Sequence, residues 1–556
     1  MNLSVRAGLS GVAAAAVAVG AAEIVAVATG PLSAPLLAVG GVVVDNVPGP
    51  VKDFGVQVFG VHDKTALIVG TAVLLAAYAY GLGLVAARRW RAGVAGIALF
   101  AVIGVAAAMT RHDAGVFAWL PTVAGAGLAV WVLRALLGLA GAPSIATAGA
   151  ARPTRARVGA GVGVSASGQD NPQPADGLEP GGPGPEKAGS GDDAYFKGPE
   201  RLTESERRRF LKMLGLAGGL AVVGGVAGRL LTGRQAVQQA RSEVVLPPPR
   251  QTPPTVPAGA QVPGVTPYVS PNADFYRIDT ALYPPQVDPS TWQLRIHGMV
   301  RNPITLTWEQ LLQRPMIERY VTLACVSNEV GGDLIGNALW LGTPIKELLD
   351  EADPLPEADQ VVQRSVDGWT CGTPTAVLRD GRDALLTVGM NGEPLPVDHG
   401  FPVRMVVPGL YGYVSACKWI TEIELTRFAD FDAYWVPRGW SAQGPIKTES
   451  RIDTPRDGAK RAPGTVVVGG VAWAQHTGIA KVEVQVDDGP WAEATLAATV
   501  SADTWRQWSY QWQATEGEHR LRVRATDLKG ETQTSTPAPP DPDGATGWHA
   551  VKVAIK

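Results

Sequence analysis

At 556 residues the chain is long enough for roughly three or four domains, and a formal net charge of -3 leaves no bulk basic surface for a nucleic-acid partner. Charged residues make up only 18% of the chain and are spread unevenly. The first 141 residues are almost entirely apolar and the last 290 read as an ordinary soluble protein, which excludes a wholly soluble chain.

A bilayer span needs about 20 apolar residues. Such runs occupy 7–29, 65–87, 93–110 and 115–139, and a fifth runs from Leu211 to Leu231. Their alanines and glycines suit close helix packing in lipid. Leu36 to Val44 is apolar but too short to span, and reads as an interfacial or re-entrant piece. Arginine placement orients the spans. Arg88, Arg89 and Arg91 lie between the second and third, Arg152, Arg155 and Arg157 follow the fourth, and Arg207, Arg208 and Arg209 precede the fifth. With Arg6, all fall on one side if the N-terminus is cytoplasmic, and five spans then place everything after about residue 232 outside.

Residues 142–200 are rich in Gly, Pro, Ala and Ser and cannot bury enough apolar area to fold. Residues 244–267 ("VVLPPPRQTPPTVPAGAQVPGVTP") are proline-rich and read as an extended spacer that holds the soluble part off the membrane. Before the fifth span, Arg207-Arg208-Arg209-Phe210-Leu211-Lys212 resembles a twin-arginine export signal, a route for proteins loaded with cofactor before export. It is internal and no small-residue cleavage site follows, so it reads as a signal retained as an anchor.

In the soluble part, Trp292, Leu294 and Ile296 alternate with Gln293, Arg295 and His297 as a half-buried strand. "LTWEQLL" opens a helix, "VTLAC" is a strand, and "TPIKELLDEA" is a helix with Ile345, Leu348 and Leu349 on one face. Short strands and helices continue through "FPVRMVVPGLYGYVSACKWITEIEL", which makes this an α+β domain. After residue 445 the helices stop. Val482, Val484 and Val486 alternate with Glu483 and Gln485 up to the turn pair Asp488-Gly489. Leu521, Val523 and Ala525 alternate with arginines. This is a β-sandwich of immunoglobulin type, read as a packing or dimer module with no chemistry of its own.

Several motifs recur in order: Phe275-Tyr276-Arg277, Cys325 with Ser327-Asn328, Gly336 to Trp340, "MNGEPLP", "HGFPVR", "VVPGLYGYVSACKWI" and the trailing sandwich. Over residues 268–556 this set resembles the sulfite-oxidase-type molybdenum–pterin oxidoreductases. Composition makes this a multi-domain chain, with four spans over 1–141, a linker over 142–206, the export-like motif with the fifth helix over 207–232 and a spacer over 233–267; the resemblance implies a molybdopterin-binding catalytic domain over 268–440 followed by the sandwich over 441–556. It implies a molybdenum–molybdopterin cofactor. A soft thiolate suits a high-valent molybdenum centre, and Cys325 stands at the family's ligand position. The pterin phosphate needs cationic and amide donors, and Arg404, His399 and Lys418 match those anchors. Tyr276 and Arg277 match a cofactor-facing pair near the entrance, with Arg277 also expected to serve the reaction. Ser365 stands where the family often has a hydroxyl, and Gly412, Tyr413 and Ser415 belong to the loop that approaches the pterin through its backbone.

Departures bear on the substrate. Sulfite-oxidising members hold their dianion with arginines, one shortly after the ligand cysteine and one in the loop before "KW". Here those positions carry Asn328-Glu329 and Tyr413-Val414, and a glutamate near the mouth repels sulfite. The resemblance therefore implies oxygen-atom transfer in the direction of sulfoxide reduction, with sulfite oxidation or dehydrogenation as the alternative and a non-catalytic tethered sensor or scaffold as a further one. The expected partners are a small oxo substrate, an electron-transfer partner (quinone, cytochrome or membrane redox protein), the membrane, and a second copy through the sandwich. A haem conduit needs histidine pairs inside spans. Only His62 and His112 precede residue 142, both at span edges, so none is expected. Cys371 and Cys417 remain as either a disulfide or two buried thiols.

Overall fold

In the computed structural model of the chain, residues 2–30, 33–47, 63–110, 114–145, 203–231, 234–251, 253–281 and 283–556 are described. His62, His112, Arg152, Arg155 and Arg157 lie outside them, as does the expected linker between 146 and 200. The chain forms two compact units. One comprises Met1–Ala22, Gly70–Ile103 and Val123–Gly224; the other comprises Glu23–Val69, Gly104–Thr122 and Gly225–Lys556.

Among the described residues, four helices are long and apolar enough to cross a membrane: Leu3–Thr29, Val69–Arg88, Trp90–Met109 and Leu120–Leu139. They coincide with the four N-terminal spans read from the sequence, their ends shifted by a few residues. In the first unit small residues set the helix spacing. A Cβ on Gly11 would meet the Ala79 carbonyl oxygen at 2.0 Å, and one on Gly83 that of Ala7 at 2.1 Å, so these helices cross backbone to backbone. The stretch 36–44 lies in a short helix over Pro35–Asn46.

The expected fifth span lies in a helix over Glu204–Leu231. It begins inside the last residues assigned to the linker because Thr203 and Glu206 cap it reciprocally. The Glu206 carboxylate accepts the Thr203 amide at 2.9 Å, and the Thr203 hydroxyl oxygen accepts the Glu206 amide at 3.4 Å. Arg207, Arg208 and Arg209 are exposed on it.

The soluble part lies in the second unit. Strand β1 (Gln293–Gly298) buries Leu294 and Ile296 and exposes Gln293 and Arg295, as its alternation requires. Thr307 and Gln310 form a capping box at the start of helix Trp308–Leu312. Helix Ile345–Ala352 buries Ile345, Leu348 and Leu349. One sheet runs β2 (Ile304–Thr307), β1, β10 (Ile420–Thr426), β5 (Gln360–Ser365), β6 (Thr370–Pro374), with β1 and β10 parallel. The other runs β3 (Ile317–Ala324), β4 (Ile335–Pro344), β7 (Leu385–Met390), β8 (Glu393–Pro394), and β9 (Arg404–Val406) pairs with β7. This is the expected α+β domain.

The sandwich follows. Its first sheet orders β11 (Glu449–Thr454), β13 (Gly464–Trp473), β17 (Arg506–Ala514) and β16 (Thr495–Leu496). Its second orders β12 (Ala459–Arg461), β19 (Ala550–Ile555), β18 (Gly517–Asp527), β14 (Ile479–Val486) and β15 (Trp491–Glu493). Val482, Val484, Leu521, Val523 and Ala525 fill its core with Trp508 and Trp512. Trp473 and Trp505 instead join the core of the α+β domain, so the two domains share apolar contacts.

The proline-rich stretch departs from expectation. It is not a free spacer but a strap laid along the soluble part. The Arg250 amide donates to the Met316 carbonyl at 2.7 Å, the Val262 amide to Gln507 Oε1 at 2.6 Å, and the Thr266 amide to Asp453 Oδ2 at 3.1 Å. Ala260 and Val265 are buried. Extended polyproline backbone makes no internal hydrogen bonds, so its few amides seek partners on a neighbouring surface. Upstream, helix Arg234–Glu243 buries Val237, and Arg241 reaches Glu393 at 2.8 Å.

Candidate active site

Strand β3 ends at Ala324 and delivers Cys325 to the mouth of a glycine-rich loop. The Cys325 amide donates to the Leu334 carbonyl at 2.9 Å, and Asn328 Oδ1 accepts the Leu334 amide at 2.9 Å, which pins both ends of that loop. Burial pushes the Cys325 thiol above its ordinary range, while the backbone and hydroxyl of Ser327 and then the Val326 amide pull it back. A buried sulfur surrounded by donors fits a thiolate held by a metal better than a free thiol.

Strand β9 contributes Arg404, which is 5% exposed. Its guanidinium lies 5.0 Å from the Trp340 ring centroid. It donates to backbone carbonyls, Nη1 to His399 at 3.1 Å and Nε to Met405 at 3.3 Å. Burial lowers it to about 10, and no carboxylate is among the groups that oppose the shift. Lys418 stands beside it through a backbone bridge. Its Nζ donates to Asp279 at 2.6 Å and to the Asp398 carbonyl at 3.1 Å, and burial lowers it to about 8. Gly400, at φ +109°, lets the two cations converge: a Cβ there would stand 3.0 Å from Arg404 Cβ and 3.1 Å from Lys418 Cβ. A buried guanidinium without a carboxylate is costly unless an anion meets it. A phosphate fits beside Arg404, the cation here whose shift no carboxylate opposes, with Lys418 next to it already paired with Asp279.

His399 joins the cluster. Burial, then Arg404 and Lys418, lower it to about 4, so it is a neutral ring at neutral pH and not a third cation. Its Nε2 lies 3.2 Å from the Asn272 carbonyl.

Tyr276 and Arg277 come from a segment tied to β4. The Ser270 amide donates to the Asn337 carbonyl at 2.7 Å, and Asn337 Nδ2 donates to the Tyr268 carbonyl at 2.8 Å. Phe275 packs where Gly336 has no side chain; a Cβ there would meet its ring at 2.7 Å. The Tyr276 phenol is pushed up by burial and then by Cys325, with Arg404 opposing. It therefore stands within electrostatic reach of both ends of the site. Arg277 is shared by two carboxylates, Asp279 at 3.0 Å and Asp398 at 3.4 Å.

The remaining expected residues divide. Ser365 is buried near Asp367, whose carboxyl is raised by burial and lies within reach of Asp279 and Lys418. Gly412 sets its loop against β3, with its Cβ position 3.8 Å from the Ala324 carbonyl oxygen. The Ser415 hydroxyl donates to the Tyr411 carbonyl at 2.9 Å, inside its own loop. Tyr413 donates to the Ser441 carbonyl at 2.8 Å and packs on Trp440. Of the loop's two tyrosines it is Tyr411 whose phenol feels Cys325. Asp279, Asp367, Asp398 and Tyr411 were not singled out in the sequence. Asp279 had a signal, an acid two residues after Arg277; "SVDGW" reads only as a turn.

Cys371 and Cys417 are free, buried thiols, each raised by burial. Away from the site, His297, Glu422 and Glu424 cluster within 4.8 Å, but Arg295 and Arg364 already pair with those carboxylates.

Comparison with known proteins agrees with this architecture. The model of the oxidoreductase molybdopterin binding domain matches residues 281–435, and that of a bacterial Ig domain matches 449–523. Mitochondrial sulfite oxidase of Mus musculus is 29% identical over 340 residues, covering 52% of this chain and 62% of that protein. The chain thus spans less than two thirds of that relative's length. The uncharacterized oxidoreductase YuiH of Bacillus subtilis is 31% identical over 182 residues, covering 32% of this chain and 87% of YuiH. The structure of the sulfane dehydrogenase SoxCD from Paracoccus pantotrophus aligns over 52% of this chain and 83% of its own, at 21% identity and a TM-score of 0.45. The domain matches show an oxidoreductase-type molybdopterin binding domain followed by a bacterial Ig domain, which implies a molybdenum–molybdopterin cofactor. The chain belongs to the sulfite-oxidase-type molybdopterin oxidoreductases.

Proposed function

We propose that this protein is a membrane-anchored reductase of small neutral oxo compounds, sulfoxides foremost, with its catalytic domains outside the cytoplasm. Cys325 would ligate the molybdenum, and Arg404 and Lys418 would hold the pterin phosphate, with the His399 ring as a neutral neighbour. Tyr276 and Arg277 would line the entrance, Ser365 would border the cradle, and Gly412, Tyr413 and Ser415 would approach the pterin through backbone. When bound, the molybdenum–molybdopterin group supplies two-electron oxygen-atom transfer. The chain's part is to fix that group, exclude water and admit a substrate of the right charge.

One observation carries the substrate reading. Arg277, the cation near the mouth, is already matched by Asp279 and Asp398, and Glu329 is exposed just after Cys325. A dianion gains little there, and a neutral sulfoxide loses nothing. Sulfite oxidation is the alternative. The deciding measurement compares sulfoxide reduction by reduced viologen with sulfite oxidation by ferricyanide in one preparation. Electrons would come from a quinone, cytochrome or membrane redox protein, and the sandwich would serve a homodimer.

The Arg404 assignment predicts two effects of opposite sign for Arg404→Met. Cofactor retention after desalting falls roughly 10- to 150-fold, because a hydrogen bond to a charged group contributes about 1.5–3 kcal/mol. The melting temperature of the cofactor-free chain rises, because an unmatched buried charge is gone. Unchanged pterin content would remove Arg404 from the anchor.

The topology follows from the arginine clusters and is open to thiol labelling, since the three native cysteines are buried. On intact spheroplasts, an impermeant maleimide labels Glu516→Cys and spares Gly168→Cys. The reverse pattern inverts the topology.

A further inference from the structure

Among the described residues of the sandwich, six carry a buried polar atom with no hydrogen-bond partner, and three of them, Glu449, Trp473 and Gln475, sit together. They lie at the edge that meets the Cys325 strand. Glu449 opens β11 and is the register partner of Trp473 at the end of β13, so their side chains share a face. Two residues along that face, Arg451 Nη1 donates to the Gly332 carbonyl at 2.7 Å, in the loop that follows Cys325. Gln475 Nε2 donates to the Thr322 carbonyl at 3.2 Å, three residues before Cys325. The Tyr411 segment runs beside that edge: its amide donates to the Gly444 carbonyl at 2.8 Å and Leu410 bridges Pro445, and its phenol feels the Glu449 carboxyl and, more weakly, the Cys325 sulfur.

Glu449 is 4% exposed, and a buried carboxyl with an unpartnered oxygen weakens a fold that a glutamine or leucine would serve better. Burial raises it to about 8, with Lys447 opposing. The other charged groups around it are matched elsewhere. Lys447 pairs with Asp543 at 2.8 Å, Arg451 pairs with Asp453 at 2.6 Å, and Asp527 on β18 accepts the Thr448 hydroxyl at 3.1 Å. Glu449 is left as a protonated acid between the half-exposed Lys447–Asp543 pair and Tyr411.

We propose that Glu449, supplied by the sandwich domain, is the proton-exchange residue of this site and acts through Tyr411 on the space in front of Cys325. The assignment rests on the oxygen-atom-transfer reading but not on its direction. In sulfoxide reduction the S–O bond breaks, sulfur gains two electrons from two equivalents of a one-electron donor such as reduced viologen, and the oxygen leaves as water with two protons. In sulfite oxidation water supplies the oxygen, and two protons and two electrons depart. Either way, protons must enter or leave a buried site.

The test uses the full-length, cofactor-loaded protein with Glu449→Gln and Glu449→Asp, read as kcat and KM from pH 5 to 10 with whichever substrate turns over. Proton transfer by a placed side chain is worth on the order of 100-fold or more. Glu449→Gln should therefore lower kcat by about that factor at unchanged KM and molybdenum content, and abolish the alkaline limb near pH 8. Glu449→Asp should restore most of both. A second readout needs no turnover. The folded-state pKa of Glu449 is raised from the ordinary 4.5 to about 8, so its burial destabilises the protein increasingly as pH rises through that window. The melting temperature of Glu449→Gln should match wild type near pH 5 and exceed it increasingly up to pH 9. Wild-type kcat with an intact alkaline limb in Glu449→Gln, or a melting gap flat in pH, would overturn the assignment. A wild type inactive with both sulfoxide and sulfite would instead overturn the functional reading, and Glu449 would then stand or fall on the melting gap.

Discussion

Cys325→Ser leaves the chain folded and removes oxygen-atom transfer, by well over the roughly 100-fold that losing an outer-shell partner of a metal ligand costs. The fold survives because the change is nearly isosteric and the loop is pinned by backbone groups: the Cys325 amide on Leu334 and Asn328 Oδ1 on the Leu334 amide. The chemistry does not survive, because a hard hydroxyl replaces a soft, polarizable thiolate. Burial makes the loss sharper. It already pushes the thiol above its ordinary range, and a serine hydroxyl, far less acidic, would resist ionisation more. Metal analysis of the wild type should give about one molybdenum per chain, as a site with a single protein thiolate requires. The serine variant should melt with the wild type and turn over neither sulfoxide nor sulfite. A fully active serine variant, or an active wild type free of metal, removes Cys325 from the centre.

Much of this was legible because periodicity and small motifs act locally. The alternation at Leu294 and Ile296, the face of Ile345, Leu348 and Leu349, and the four N-terminal spans needed no tertiary information. The helix start at Glu204 was also written in the chain, as Thr203 and Glu206, but it was hidden by the linker composition around it. What composition could not supply was the destination of a segment. Residues 244–267 look like a spacer because prolines make an extended chain. Whether that chain floats or binds depends on Gln507 and Asp453, some 200 residues away in sequence. Site residues follow the same rule. Cys325 and Arg404 are identifiable as types in a pattern. That His399 is neutral follows from burial and from Arg404 and Lys418 together. That the Tyr413 side chain goes to Ser441, while the Tyr411 phenol feels Cys325, follows from the turn of one short loop.

Catalytic efficiency toward sulfite should fall roughly two to four powers of ten below that of a pocket with the two missing arginines, while sulfoxide reduction proceeds. Each arginine–anion contact contributes on the order of 1.5–3 kcal/mol, and losing two of them enters kcat/KM directly. The residues at those positions are committed elsewhere: Asn328 Oδ1 holds the Leu334 amide, and Tyr413 donates to Ser441. Neither is positively charged. Arg277 remains, but Asp279 and Asp398 share its guanidinium, and a cation that already has its counter-ions attracts a dianion weakly. This gives a graded test. Asp398→Asn frees part of Arg277 without touching the Asp279–Lys418 pair, so sulfite efficiency should rise by about tenfold, one charged contact's worth, with sulfoxide reduction little changed. Arg277→Gln should then erase that gain. If the unmodified protein oxidises sulfite rapidly, and Arg277→Gln abolishes the activity, Arg277 is free enough in solution to hold a dianion, and the protein is a sulfite-oxidising enzyme.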